Sequence, residues 1–114
     1  MQRIDPQEVA RILDEFRNEE VYLHLEMTTG AYASHMDSSK LTAAAFIKNT
    51  KIRYSAGSIA GTDPYRVGLK TEEGWVFSQG LTHWTTDETG RLILAGHDNE
   101  GKLVVSLTLG KTPF

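Results

Sequence analysis

Val21-Tyr22-Leu23-His24-Leu25-Glu26-Met27-Thr28 is the stretch whose reading decides the fold. Val21, Leu23, Leu25 and Met27 alternate with Tyr22, His24, Glu26 and Thr28, the period of two of a strand with one apolar and one mixed face. Immediately upstream the period is different. Val9, Ile12, Leu13 and Phe16 stand at i, i+3, i+4 and i+7, one stripe of a 3.6-residue helix. Asp5 is placed to cap that helix, Pro6 to occupy its first position and Glu8 to complement its dipole. Ile4 and Val9 stand where a hydrophobic staple closes over the cap. The spacing predicts a helix over about 6–18.

Downstream of this strand the chain is punctuated for β structure. All ten glycines lie at or beyond Gly30. Further strands are predicted at 31–35, 43–54 with a break near Asn49, 65–70, 75–78, 81–86, 91–95 and 102–109. The turns Thr71–Gly74, Asp87–Gly90 and Asp98–Gly101 each end on glycine, which accepts positive φ without steric cost. Short connections predict antiparallel hairpins. The stretch 37–45 reads as helix or strand, with a turn leading into a strand preferred. Ser55-Ala56-Gly57-Ser58-Ile59-Ala60-Gly61 reads as a bulged connection, or as a mobile lid over a barrel mouth. The resulting expectation is an α+β fold, mainly β: an N-terminal amphipathic helix, then an antiparallel meander over about 21–110 curled into a small barrel, closed or nearly closed. A single domain spanning 1–114 is expected. Leu92-Ile93-Leu94-Ala95 is apolar on both faces, so the helix or a second protomer is expected to cover one of them.

Composition excludes several chemistries. The chain has 114 residues and no cysteine, which removes disulfides, zinc ribbons and cysteine nucleophiles. No apolar run approaches a membrane span, and MQRIDPQEVA lacks the core of a signal peptide. A net charge of −3 argues against general nucleic-acid binding. The charge is uneven, however. Residues 40–70 hold six basic groups against Asp63, whereas residues 71–100 hold six acidic groups against Arg91. Lys51 and Arg53 share one strand face, and so do Arg66 and Lys70. If their strands are neighbours, the four form a basic patch for a small anion or an acidic partner.

No nucleophile elbow or phosphate loop is present, because Gly57 directly precedes Ser58 and no Gly-Lys-Ser/Thr follows. No cofactor is expected. His24 and Glu26 point to one strand face with Tyr22, which makes Tyr22, His24 and Glu26, joined by His35 or His83, the candidate ligand-binding set. A metal there would need a third protein ligand, and no ligand spacing of a known metal site is present.

Three stretches carry a family likeness: Val21 to His35; Pro64-Tyr65-Arg66-Val67-Gly68-Leu69-Lys70 with Gly74-Trp75-Val76; and Leu94-Ala95-Gly96-His97-Asp98. The chain resembles the YojF-like family of small uncharacterised proteins from bacilli. That resemblance implies a compact, barrel-like β structure and a cytoplasmic location. It carries no catalytic residue. It also implies gene neighbourhood with a zinc-dependent sugar-amide deacetylase, and so an accessory role with that enzyme as partner. The expectation is therefore a non-enzymatic binding or accessory module, self-associating or working with the deacetylase. The alternative is a small-molecule or metal site on Tyr22, His24 and Glu26, with an enzymatic role left open.

Overall fold

The computed structural model describes residues 1–29 and 43–114. The element order is β1 (Gln2–Arg3), α1 (Pro6–Glu15), β2 (Val21–Thr28), β3 (Ala44–Ile52), β4 (Tyr54–Gly61), β5 (Tyr65–Thr71), β6 (Trp75–Leu81), β7 (His83–Thr86), β8 (Leu92–His97) and β9 (Leu103–Gly110). The helix starts as its sequence dictates. The Asp5 carboxylate accepts from the amides of Gln7 and Glu8, and Val9, Ile12 and Leu13 are buried. It ends at a Phe16 cap, two residues before the predicted end. The strand predicted at 31–35, and most of the ambiguous stretch 37–45, lie outside the described residues; Ala44 and Ala45 belong to β3.

The strands do not make a barrel. They form two antiparallel sheets, one of six strands in the order β1-β7-β8-β9-β2-β3 and one of three in the order β4-β5-β6. This corrects the expectation of a closed or nearly closed meander. The chain leaves the first sheet at Arg53 and returns to it at Thr82, so the hydrogen-bonded ladder is interrupted twice. The six-stranded sheet is built by long-range pairing instead. β2 lies between β3 and β9, with Leu23 opposite Leu109 and Leu25 opposite Leu107. The period-two face read from Val21 and Leu23 does point inward, while Met27 is exposed near the end of its strand.

One buried cluster lies between the sheets, including Val21, Leu23, Leu94, Leu107 and Leu109 from the first and Val67 and Leu69 from the second. The helix packs on β4 rather than on β8. Tyr54, fully buried, donates its hydroxyl to the Leu13 carbonyl at 2.6 Å. Burial pushes its phenol well above the usual range.

The stretch predicted as a bulge or lid is strand β4, whose pairing with β5 shifts register between Tyr54 and Ala56, so a bulge is present and the lid is not. Its small residues serve close packing: a Cβ on Gly57 would lie 2.9 Å from the Tyr54 ring and 3.4 Å from Leu13 Cβ. The second apolar face of β8 also differs from expectation. Ala95 is buried and Ile93 half-buried, so the strand offers no exposed apolar stripe to a second protomer. Among the described residues, no helix is long and apolar enough to cross a membrane.

Candidate functional site

The strand period brings Tyr22, His24 and Glu26 to one face of β2, and His24 Nε2 lies 3.8 Å from Glu26 Oε2. The surroundings are already occupied. The Lys51 ammonium lies 5.8 Å from the Tyr22 ring centre and pairs with Glu20 at 3.5 Å. The Phe114 ring meets His24 edge-on at 6.0 Å. Asn49 holds the Phe114 backbone through two hydrogen bonds, of 2.8 and 3.0 Å. Arg91 lies 4.5 Å from the Phe114 ring centre and donates to the Pro113 carbonyl. The terminal residues thus pack onto the face that a ligand would need.

His83 does not join this set. Register places Arg3, His83, Ala95, Ser106 and Glu26 in one row across the sheet. Three strand spacings of about 4.8 Å separate His83 from Glu26, roughly 14 Å. His35 lies outside the described residues. Among the described residues no group of three or more His, Asp or Glu could hold a metal ion. Both functional expectations are corrected here. The Tyr22/His24/Glu26 metal or ligand site lacks a third ligand and is covered by the chain itself. The accessory barrel module lacks a barrel, and nothing in this geometry supports a deacetylase partner.

The basic patch also divides. Lys51 lies on β3 and is engaged with Glu20, and Arg53 donates to the Asn18 carbonyl at 3.2 Å. Arg66 and Lys70 stand on β5, in the other sheet. The strands that carry Lys51 and Arg66 are therefore not hydrogen-bonded neighbours.

A different constellation forms at one end of the molecule. A cleft of about 890 Å³ is bounded by β1, the turn after β4, the ends of β6 and β8, and the start of β7. His83 and His97 both border it, with ring centres 5.0 Å apart and planes at 86°. Register explains the approach. His83 is opposite Ala95, so His97, two residues further on, is its diagonal neighbour on the same face. Thr82 Oγ1 lies 2.7 Å from His83 Nδ1, and its hydroxyl donates to the Ala95 carbonyl at 3.4 Å. The Thr82 hydroxyl thus holds Nδ1 of the His83 ring, as donor or acceptor according to the tautomer, and leaves Nε2 without a protein partner among the described residues.

The electrostatics of the cleft disfavour the charged form of His83. Partial burial pushes its pKa below the usual imidazole value, and Arg3 and His97 add to the effect while Asp63 opposes it. Arg3 Nη1 meets Asp63 Oδ2 at 2.9 Å across the cleft wall. His97 Nδ1 is buried without a hydrogen-bond partner. Asp98 has a local duty: its carboxylate accepts from the amides of Glu100 and Lys102, both at 2.9 Å, and these bonds lower its pKa. The cleft therefore offers an imidazole whose charged form is disfavoured and a self-neutralised ion pair. Sequence reading singled out His83 but not His97, Thr82 or Arg3 as site residues. Only the pairing register reveals their proximity.

Comparison with known proteins places the chain in a family. Residues 3–114 match the family described as "Protein of unknown function (DUF1806)". The "Uncharacterized protein YojF" of Bacillus subtilis (strain 168) is 46% identical over 114 residues, covering 100% of this chain and 98% of the relative. A crystal structure of the Bacillus subtilis YojF protein superposes with a TM-score of 0.83 at 42% identity, covering 99% of this chain and 95% of that one.

Proposed function

The chain belongs to the DUF1806 family, and on that premise we propose that it binds a small, uncharged, hydroxyl-bearing compound in the His83–His97 cleft. The observation that carries this reading is the imidazole pair at the wall of a cavity of about 890 Å³. Binding cavities commonly measure about 300–1,000 Å³ and hold a few convergent polar groups. Arg3 and Asp63 neutralise each other, so a strong ion gains little there. A hydroxyl can donate to or accept from Nε2 of His83, whichever tautomer the ring holds. The absence of cysteine suits a reducing, cytoplasmic compartment for this role.

Imidazole NMR with a panel of polyols, sugars and amides tests the reading. A binder is expected to move the ring nitrogens of His83 and His97, and its effect is expected to be lost in His83→Ala. Ligand at a hundredfold its Kd should also add about 2.7 kcal/mol of stability. A panel that shifts neither histidine overturns the reading.

A further inference from the structure

The outer face of the three-stranded sheet is a regular grid. Register aligns Ala56 with Lys70 and Trp75, Ser58 with Gly68 and Phe77, and Ala60 with Arg66 and Gln79. Residues between them, such as Val67 and Leu69, point into the core. On the grid, Trp75 and Phe77 stack 5.3 Å apart with planes at 9°, and each is 53% exposed. Beside them the floor is low. A Cβ on Gly68 would lie 2.9 Å from the Phe77 ring, so glycine is what lets that ring settle against the strand.

Each ring carries its own cation. Lys70 Nζ is 6.0 Å from the Trp75 ring centre, and the Arg66 guanidinium is 5.6 Å from that of Phe77. No carboxylate among the described residues pairs with either cation, whereas Arg3, Arg11, Arg17, Lys51, Arg91, Lys102 and Lys111 all have ion-pair partners. Arg66 and Lys70 are four residues apart on one strand, roughly 13 Å between Cα atoms, too far for one small anion to serve both comfortably. The face thus repeats a unit of planar ring plus free cation.

We propose that this face binds single-stranded nucleic acid, with bases against Trp75 and Phe77 and phosphates on Lys70 and Arg66. A single strand repeats the same pairing of planar group and anion. Stacking on exposed aromatics beside basic side chains is the sequence-tolerant mode of single-strand recognition. An acidic peptide would satisfy the cations but leave both rings without planar partners. The net charge of −3 confines recognition to this platform. With two phosphates neutralised, the affinity should fall with salt at a log–log slope of about −1.4.

Fluorescence anisotropy of a labelled oligothymidylate with the full chain tests the proposal, with an abasic strand of equal length and polyglutamate as competitors. The oligothymidylate is expected to bind about fivefold or more tighter than the abasic strand. Trp75→Ala and Phe77→Ala should each weaken it by a similar factor. Arg66→Ala and Lys70→Ala should each flatten the salt slope by about 0.7. All four variants should keep the circular dichroism and melting transition of the parent, since these side chains lie outside the core; His83→Ala should bind the strand normally. Equal binding of the abasic strand, equal competition by polyglutamate, affinity unchanged in the ring variants, or no binding at low salt would each overturn the proposal.

Discussion

The two sheets share one core but present opposite outer faces. On the six-stranded sheet, His24 faces Glu26, Lys51 faces Glu20, and the terminal Phe114 lies against His24 and Arg91. On the three-stranded sheet, Arg66 and Lys70 have no acidic partner among the described residues, and Trp75 and Phe77 stand half in solvent. Both faces contain cations near aromatic rings. The difference lies in what remains unsatisfied after folding. A face whose charges are paired and whose rings are covered has little left for a ligand, while free cations beside exposed rings retain their full capacity. The same test separates the two groups of histidines: His24 is covered by the chain's own end, and His83 borders an open cleft.

The comparison assumes that the two inner faces form one folding unit, and the largest effects test that. Leu107→Ala in the first sheet and Leu69→Ala in the second should each cost about 2–5 kcal/mol. Urea unfolding should show one transition in both; two transitions would divide the sheets into separate units. Gly96→Ala probes the seam where they meet, because a Cβ there would lie 2.0 Å from the Gly80 carbonyl oxygen and 2.6 Å from Val105. It should cost about 2–3 kcal/mol by the same measurement. Tyr54→Phe, which strips the helix of its hydrogen bond to β4, should cost about 1–2 kcal/mol.

A smaller effect distinguishes the histidines by pH. The folded pKa of His83 is lowered, so the unfolded chain takes up a proton first as pH falls. Its stabilising contribution is complete above about pH 6.5 and is lost on acidification through the lower folded value. Melting of the parent against His83→Gln from pH 7.5 to 5 should show the parent losing more stability; parallel profiles would refute the shift. Smallest of all, Lys51→Ala should change stability by less than about 0.5 kcal/mol, even though it breaks an ion pair, because that pair is exposed to solvent.

Legibility followed the range of the interactions. Asp5, Pro6 and the stripe from Val9 to Phe16 act within a few residues of one another, so the helix could be read directly. The turns ending on Gly74, Gly90 and Gly101 likewise mark their hairpins locally. The bulge at the start of β4 was legible, but the strand itself was not, because its small residues answer to Leu13 and Tyr54 and that contact is invisible in the strand's own composition. Barrel closure was a reasonable inference from many short strands, but it depended on whether β3 and β4 continue one ladder. The chain changes sheets at Arg53 instead. For the candidate sites, His83 was legible as a half-buried histidine, while its pairing with His97 required the register of β7 on β8. The basic patch was half legible: Arg66 and Lys70 share a face, but Lys51 and Arg53 lie on the other side of the sheet switch.

By itself, then, the sequence determined the helix, its cap, the glycine-ended hairpin turns and the inward face at the start of β2. These follow from backbone geometry and side-chain periods that operate over a few residues. Tertiary structure decided the partition into two sheets, the covering of His24 by Phe114, the meeting of His83 with His97, and which cations stayed free. Those outcomes depend on contacts between residues as much as 90 positions apart, from His24 to Phe114. Such contacts are chosen by the packing of the whole core, and no local pattern encodes them.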